Sequence, residues 1–370
     1  MVRRGFPRGE YVVFLIRGSP DNDETARMER LVVSGWEDDA SALLQALREH
    51  ARLEVIAVGD QYASNLVRAR AATKLSCFQH LRQMVIDVDF DALLLAAPER
   101  ADDLATLATV RGADLLLLGD HLDAEAMQAA ATASFRHGGA LAVLRPMLRT
   151  AGLGFVSDLI DADPRWTPEV FTLELWDERP AAQILRDGVA AATRLLEHAP
   201  VEAIASIAGV DREEPTTIAV QLRGVDGSLA TVTIYGETSR RMRLHAATSN
   251  GSIDLESVDG ESRVMLSPRN GAAERSVLRD PDMLAFEAQR TARILDGEAL
   301  DARFALREAA VLHAVEEAIA TACPAPVGQS SMRSILRLLS GGVDDAALTV
   351  AQTSNEPQEA RAPLHLIPSA

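Results

Sequence analysis

The residues best suited to proton transfer are a neighbouring carboxylate and imidazole, Asp120 and His121, which follow Gly119 at the end of an apolar run. A carboxylate beside an imidazole tunes the pKa of the histidine, so the two are candidates for an acid–base pair. A polar turn after a strand is the alternative interpretation. The other histidines lack the spacing of a metal site, so we predict no bound metal. They are His50, His80, His137, His198, His245, His313 and His365.

Arginine supplies the candidates for anion binding. Lys74 is the only lysine among 37 basic residues, so the other 36 are arginines. Guanidinium groups bind carboxylates and phosphates through two parallel hydrogen bonds. Four arginines are candidates for converging on an anion near the middle of the chain, and ordinary surface positions are the alternative. They are Arg145, Arg149, Arg165 and Arg186.

The first half of the chain alternates short apolar runs with helical patterns. The runs predict strands at 30–34, 53–58, 92–96, 115–118 and 140–144. The helical patterns lie at 39–49, 63–72, 78–86, 102–110 and 124–135. Strands that are apolar on both faces and separated by helices indicate a parallel sheet covered on both sides. Right-handed crossovers then predict a doubly wound α/β domain, with Asp120 just after its predicted strand at 115–118.

The pattern changes near residue 150. Alternating runs separated by turn pairs such as Asp226-Gly227 and Asn250-Gly251 predict a mainly antiparallel sheet, hence an α+β domain. Its strands are predicted at 170–176, 203–208, 217–222, 229–235, 241–247, 252–257 and 263–266, and helices at 181–197, 283–295 and 303–321. The predicted organisation is an N-terminal extension at 1–30, the α/β domain at 31–150, the α+β domain at 151–323 and a tail at 324–370.

Composition excludes several classes of function. A net charge of −17 disfavours binding to nucleic acid or to anionic membranes. The chain has no apolar run of the length of a signal peptide, and Cys77 and Cys323 match no metal or disulfide pattern. Because no run of signal-peptide length is present, we expect a protein of the bacterial cytoplasm. The excess of arginine over lysine fits a GC-rich genome.

Several stretches, in order, carry a resemblance to a known family. Leu53–Asp60 has the form of a second strand ending in an acidic ribose binder, and Asp91–Pro98 is similar to a strand ending in Ala-Thr-Pro. Gly227–Val232 resembles a strand of a second domain, and Phe286–Gly297 and Arg303–Thr321 resemble two closing helices. Together they resemble the glucose–fructose oxidoreductase, inositol dehydrogenase and rhizopine-catabolism family (Gfo/Idh/MocA). The resemblance implies a Rossmann-like nucleotide-binding domain, NAD or NADP chemistry, and dimers formed through the open face of the second sheet.

The family's glycine-rich phosphate turn is altered here. Only Gly35 remains of that turn, and Glu37, Asp38 and Asp39 follow it. At about 4 Å and an effective dielectric constant near 20, each like-charge pair with a pyrophosphate would cost on the order of 4 kcal/mol. The three carboxylates therefore predict a weakened nucleotide site, and a charged cap on an empty helix is the simpler interpretation.

The family's reactive residues are also replaced. Its Glu-Lys-Pro turn aligns with Gly119-Asp120-His121, so the lysine position holds Asp120. Its Asp-x-Gly-x-His helix start aligns with 186–190, so the aspartate is Arg186 and the histidine is Ala190. Alanine has no titratable group for acid–base catalysis.

Gly35, Asp60 and Pro98 are the candidate cofactor-binding residues if any nucleotide binds. Asp60 is as consistent with a capping role as with a ribose contact. We therefore predict a degenerate member of this family that has lost standard hydride transfer and needs no cofactor. It would act as a pseudoenzyme or partner subunit, in a homodimer or with a related oxidoreductase, or use a repurposed cleft in a biosynthetic or sugar pathway.

Two alternatives remain open. One is an active NAD- or NADP-dependent oxidoreductase with non-standard residues, in which Asp120, His121 or an arginine is catalytic. The other is a cofactor-independent lyase, isomerase or cyclase that uses the old substrate cleft.

Overall fold

The computed structural model describes residues 28–36, 40–196, 198–211, 214–237, 239–296 and 302–327. The predicted tail beyond residue 327 and the predicted extension before residue 28 lie outside the described residues. The altered phosphate turn at Glu37, Asp38 and Asp39 lies outside them as well.

The first sheet has six parallel strands in the order β3-β2-β1-β4-β5-β6. This order is that of a doubly wound dinucleotide-binding fold, so the predicted α/β class is confirmed. The strands are β1 (Glu29–Ser34), β2 (Leu53–Gly59), β3 (Ser76–Phe78), β4 (Ala92–Leu95), β5 (Asp114–Leu118) and β6 (Leu141–Leu144). The helices are α1 (Ala40–Ala51), α2 (Ala63–Thr73), α3 (Leu81–Asp87), α4 (Ala101–Val110) and α5 (Ala124–His137).

The central strands of this sheet are buried on both faces. Side chains of Leu31, Val32 and Val33 alternate between the two faces of β1, and each residue is fully buried. Helices therefore cover both faces, as continuous apolar strands require. The predicted helix at 78–86 was partly wrong, because Phe78 ends the three-residue strand β3 and the helix begins at Leu81.

The second sheet has nine strands in the order β14-β13-β12-β11-β7-β10-β9-β8-β15. Its neighbours pair antiparallel except β7 and β10, which run parallel, so a mainly antiparallel sheet is confirmed. The strands are β7 (Pro168–Asp177), β8 (Pro200–Asp211), β9 (Glu214–Gly224), β10 (Leu229–Gly236), β11 (Arg241–Thr248), β12 (Gly251–Val258), β13 (Glu261–Pro268), β14 (Glu274–Arg279) and β15 (Ala325–Pro326). Strand β14 was not predicted from the sequence, and β15 falls at the start of the predicted tail.

Four helices connect the two sheets: α6 (Ala151–Ala162), α7 (Ala181–Leu195), α8 (Met283–Leu295) and α9 (Ala302–Thr321). Helix α7 lies against β10, close enough that a Cβ at Gly188 would come within 2.6 Å of Val232. Helix α8 packs on α1 and β6, whereas α9 packs on α5 and β8. The closing helices thus hold the second sheet against the first.

No described helix combines the length and the apolar character needed to cross a membrane.

Candidate active site

The predicted site residues meet at the carboxyl ends of the parallel strands. A cleft of about 200 Å³ opens there, lined among others by Gly35, Asp60, Pro98 and His121. In doubly wound sheets ligands bind in this crevice, where the strand order reverses between β1 and β4. Arg186 on α7 closes the opposite side of the cleft. The structure therefore brings together residues that are up to 151 positions apart in the sequence, from Gly35 to Arg186.

The carboxylate of Asp60 accepts hydrogen bonds from residues close to it in the crevice. Its Oδ2 accepts hydrogen bonds from the Trp36 backbone N–H at 2.9 Å and from the Asn65 amide at 3.0 Å. Its Oδ1 accepts from the Tyr62 backbone N–H at 2.7 Å, and the residue is 4% exposed. A carboxylate has about four acceptor positions, of which three are filled here. Asp60 thus ties the end of β1 to the start of α2.

The backbone conformation and packing at position 35 require a glycine, independently of any ligand. Its φ of +92° lies in the region that favours glycine, and a Cβ there would come within 2.6 Å of the Ala97 Cβ. The turns that follow β1 and β4 approach each other at this point. The glycine is therefore required for the fold of the crevice whether or not a phosphate is bound.

Asp120 occupies the turn after β5 and is held from two sides. Its Oδ2 pairs with the Arg179 guanidinium at 2.9 Å, and its backbone carbonyl accepts from Arg186 at 3.0 Å. The residue is 6% exposed, and its Oδ1 has no hydrogen-bond partner within the described part of the chain. The His121 Nε2 lies 3.9 Å from Asp120 Oδ2. Burial, reinforced by the charge of Asp187, raises the pKa of Asp120.

A buried ionic network backs this turn. Arg145, just beyond β6, pairs with Asp187 at 2.9 Å and with Glu308. Arg179 pairs with Asp187 at 3.0 Å and with Asp177, so it contacts three aspartates including Asp120. Although burial opposes it, the charges of Glu308 and Asp187 raise the pKa of Arg145, which stays protonated. Two guanidiniums are therefore shared among four carboxylates, which disfavours a further negative charge here.

The Arg145 guanidinium also explains Gly119. A Cβ at position 119 would lie 2.8 Å from the Arg145 Cζ and 2.8 Å from a methyl of Val143. Only glycine leaves room for the arginine side chain beneath the turn.

The position that the resemblance aligns with an acid–base histidine holds a core residue, Ala190. Ala190 is 3% exposed and packs in the apolar cluster between α7 and the second sheet. Arg186, in the place of the family's aspartate, binds the Asp120 carbonyl instead.

The four predicted arginines do not all converge. Arg145 and Arg149 meet at Glu287, which accepts from the Arg145 backbone N–H at 3.1 Å and pairs with Arg149. Arg186 is at the cleft, but Arg165 pairs with Asp163 on the surface with its side chain 72% exposed. Arg165 therefore takes the ordinary surface position that the sequence also allowed. Arg165 instead forms an ion pair with Asp163, two residues before it in the same turn.

Several residues at the site were missed from the sequence. Arg179, Asp187, Glu287 and Glu308 are charged and largely buried, and three of them sit inside otherwise apolar helices. A carboxylate on the apolar face of a helix was the available signal, because such groups are almost never buried unless paired.

A second cavity of about 280 Å³ lies on the other side of Arg179. It is bounded by Asp177 and Asp187, by the aromatic ring of Trp176 and by Arg240 on the second sheet. Burial lowers the pKa of Arg240. The two cavities have no lining residue in common, and Arg179, which lines the second, pairs with Asp120 in the turn after β5.

No group of three or more His, Cys, Asp or Glu side chains within the described ranges is arranged to hold a metal ion.

Solved structures identify the fold. An oxidoreductase from Agrobacterium radiobacter, crystallised with NAD+, L-tartaric acid and magnesium, superposes with a TM-score of 0.68 at 13% identity, covering 81% of this chain and 99% of its own. A putative myo-inositol dehydrogenase from Sinorhizobium meliloti gives 0.61 at 16% identity, covering 81% and 100%. The WlbA dehydrogenase of Bordetella pertussis, crystallised with NADH and UDP-GlcNAcA, gives 0.65 at 17% identity, covering 82% and 100%.

No sequence model of a protein family matches the chain, and no curated protein matches it. The likeness is thus one of fold, and it extends over essentially the whole length of each neighbour. The chain has the two-domain fold of the Gfo/Idh/MocA-type oxidoreductases.

Proposed function

We propose that this chain is a degenerate Gfo/Idh/MocA-like protein that has lost standard NAD(P)-dependent hydride transfer and acts as a partner subunit. The observation that carries the proposal is the Asp120–Arg179 ion pair at the end of β5. The resemblance assigns a lysine to that position. Here a carboxylate stands in its place, and a guanidinium fixes it against the second domain.

The nucleotide side of the crevice supports the same conclusion. Asp60 already accepts three hydrogen bonds and has about one acceptor position left, so both hydroxyls of a ribose diol could bind it only by displacing Trp36, Tyr62 or Asn65. The cleft volume of about 200 Å³ is below the range of roughly 300–1,000 Å³ usual for small-molecule sites. The residues present do not fit a dinucleotide bound in the standard way, so no reaction step is assigned to one.

A partner subunit needs a contact surface, and the open face of the second sheet is our candidate. Exposed apolar residues are spread over it, among them Val170, Ile204, Met265 and Val277. Between them lie paired charges such as Arg243 with Glu256 at 3.2 Å. A mixture of apolar and paired polar groups is common at protein interfaces. We infer a homodimer, or a pair with a related oxidoreductase, in a biosynthetic or sugar pathway of the bacterial cytoplasm.

Calorimetric titration with NAD+, NADH, NADP+ and NADPH tests the loss of the cofactor. We expect no saturable binding of any of them at micromolar concentrations. Saturable micromolar binding that Asp60→Ala abolishes would instead favour an active oxidoreductase with non-standard residues. An Asp226→Ala variant is the matched control, because Asp226 lies in a distant turn of the second sheet, where its carboxylate binds Ser228.

A second candidate is cofactor-independent acid–base chemistry at Asp120 and His121. It is favoured by the buried Asp120 Oδ1, which has no partner among the described residues, and by the raised pKa of that carboxyl. A lyase or isomerase of this kind would exchange a carbon-bound proton of its substrate with solvent. Deuterium incorporation into a panel of keto sugars and sugar acids, followed by NMR, should then require both Asp120 and His121. Equal incorporation by Asp120→Asn and the unmodified protein would exclude this candidate.

A further inference from the structure

The largest cavity among those described lies away from the nucleotide crevice. It is a groove of about 930 Å³ between α6, the end of α7, β14 and α8. It shares no lining residue with the crevice at the carboxyl ends of the parallel strands. Its volume is in the range of roughly 300–1,000 Å³ found for sites that hold small molecules.

The walls of the groove are mostly apolar. Leu153 and Phe155 come from α6, Leu195 from α7, and Phe286 and Ile294 from α8. The ring of Phe286 remains 40% exposed in the groove. Gly154 faces the same space, and a Cβ added to it would meet no atom within 4 Å. The groove therefore has room for an apolar body that would bury this surface.

The inner end of the groove is positively charged. The arginines that line it are Arg149, Arg194 and Arg290. Two of them form ion pairs with the same carboxylate, that of Glu287. Glu287 pairs with Arg149 and, at 2.9 Å, with Arg290. Arg194 forms no ion pair with any described residue, and its guanidinium lies 5.7 Å from the centre of the Phe304 ring. Three guanidiniums thus have one ion-paired carboxylate among them, while Asp158 also lines the groove and the charge of Glu308 reaches Arg194.

The titration of these groups agrees with an excess of positive charge. Burial, aided by the charges of Arg149 and Arg194, lowers the pKa of Arg290 to about 10. The surrounding protein and the Arg149 charge also lower the pKa of Arg194, although its side chain keeps contact with solvent through the groove. Crowded cations of this kind are stabilised when an anion joins them.

We propose that this groove binds an amphipathic organic anion, whose head group pairs with Arg194, Arg149 and Arg290 and whose apolar body lies along α6 and α8. Guanidinium groups recognise carboxylate and phosphate heads through paired hydrogen bonds, so either head fits the inner end. The proposal does not depend on the loss of hydride transfer, because the groove and the nucleotide crevice have no residue in common.

Calorimetric titration with decanoate tests the proposal on the full chain. We expect binding of one decanoate per chain, with an affinity well above that of decyltrimethylammonium, which has the same tail and the opposite charge. Decyl phosphate in a parallel titration distinguishes a preference for a phosphate head from one for a carboxylate head. Acetate should bind too weakly to detect, because it lacks the apolar body.

Two variants localise the site. Arg194→Gln removes the cation that has no described ion-pair partner, and we expect it to weaken decanoate binding about tenfold. Gly154→Phe fills the groove from α6 and should abolish binding without a clash at its Cβ. Arg82→Gln is the matched control, since Arg82 is an exposed residue on α3 far from the groove, and it should leave binding unchanged.

Failure of decanoate to bind, or binding that neither Arg194→Gln nor Gly154→Phe weakens, would overturn the proposal. If another protein chain fills the groove instead, Gly154→Phe should change the molar mass measured by light scattering while decanoate does not bind. That result also counts against the proposal. Circular dichroism of both variants confirms that a loss of binding does not come from loss of the fold.

Discussion

Glu287 offers the sharpest test of the buried electrostatics. The residue is fully buried on α8 and receives four hydrogen bonds. They come from the Arg145 backbone N–H at 3.1 Å, from Nε and a terminal nitrogen of Arg149, and from Arg290 at 2.9 Å. Glu287→Gln keeps the shape of the side chain but replaces one acceptor with a donor and removes the charge. Two buried guanidiniums then lose their counter-ion.

We expect the substitution to lower the free energy of unfolding by about 3–5 kcal/mol, the usual cost of breaking a buried ion pair from one side. At roughly 2–4 °C per kcal/mol for domains of this size, the melting temperature should fall by roughly 6–20 °C. Urea unfolding followed by tryptophan fluorescence, together with calorimetry, measures both quantities. Glu256→Gln is the matched control, because Glu256 also serves two arginines, Arg241 and Arg243, but lies on the open sheet face with its side chain 33% exposed. Its loss should cost no more than about 1 kcal/mol.

The pH dependence gives an independent check. Although burial opposes it, Arg149 and Arg290 lower the pKa of Glu287 below its ordinary value of 4.5. A lowered folded-state pKa adds stability above the unfolded-state pKa, and that stability is lost as the pH falls through the folded-state pKa. The difference between the unmodified protein and Glu287→Gln should therefore be constant at neutral pH and shrink below about pH 4.5. A cost equal to that of Glu256→Gln, or a difference that does not change with pH, would refute the reasoning.

Three further predictions concern the crevice. Asp120→Asn should remove a gain in stability that appears as the pH falls. The raised pKa of Asp120 stabilises the fold below its unfolded-state pKa, and this stability is lost as the pH rises through the folded-state pKa. Unfolding midpoints between pH 4 and 8 measure the effect. Gly119→Ala should cost about 1–3 kcal/mol by overpacking against the Arg145 guanidinium, measured by urea unfolding. Gly35→Ala should destabilise the protein by a similar amount, about 1–3 kcal/mol, even when no nucleotide is present. The new methyl group would meet Ala97, and the backbone at this position has a positive φ. Thermal unfolding measures the change.

The glycine predictions share one control. A Cβ at Gly236, at the end of β10, would meet no atom within 4 Å, so Gly236→Ala should leave stability nearly unchanged. If it destabilises as much as Gly119→Ala, the crowding argument at the β5 turn fails. For Asp120→Asn, a pH profile that parallels that of the unmodified protein would show that Asp120 does not titrate differently on folding.

Most strands of both sheets could be predicted because burial leaves a regular apolar pattern in the sequence, whereas β3, β14 and β15 were missed. Residues 31–33 and 92–95 are apolar without interruption, as strands covered on both faces must be. Helix α6 was missed because Gly152 and Gly154 lower its helix propensity. Packing explains the first glycine, since a Cβ at Gly152 would lie 2.2 Å from Leu255 of the second sheet. A tertiary contact of this kind leaves no local signal.

The site was predicted less well than the fold for a similar reason. Asp120 and His121 could be placed at the end of a parallel strand because they follow the apolar run at 115–118. Their environment could not, because Arg145 pairs with Asp187 across 42 positions and with Glu308 across 163 positions. A carboxylate on the apolar face of a helix indicates burial, but no local pattern identifies the distant residue with which it pairs.

The network also explains why several departures from the family pattern occur together. Asp120 binds Arg179, Arg179 binds Asp187, Asp187 binds Arg145, and Arg145 fills the space that a side chain at Gly119 would need. A lysine restored at position 120 would put an ammonium beside the Arg179 guanidinium, and a like-charge pair at about 4 Å costs on the order of 4 kcal/mol at an effective dielectric constant near 20. Asp120 is thus the residue that joins the β5 turn to the ion pairs of Arg179. Because each member contacts the next, a substitution in the β5 turn should also disturb the ion pairs behind it.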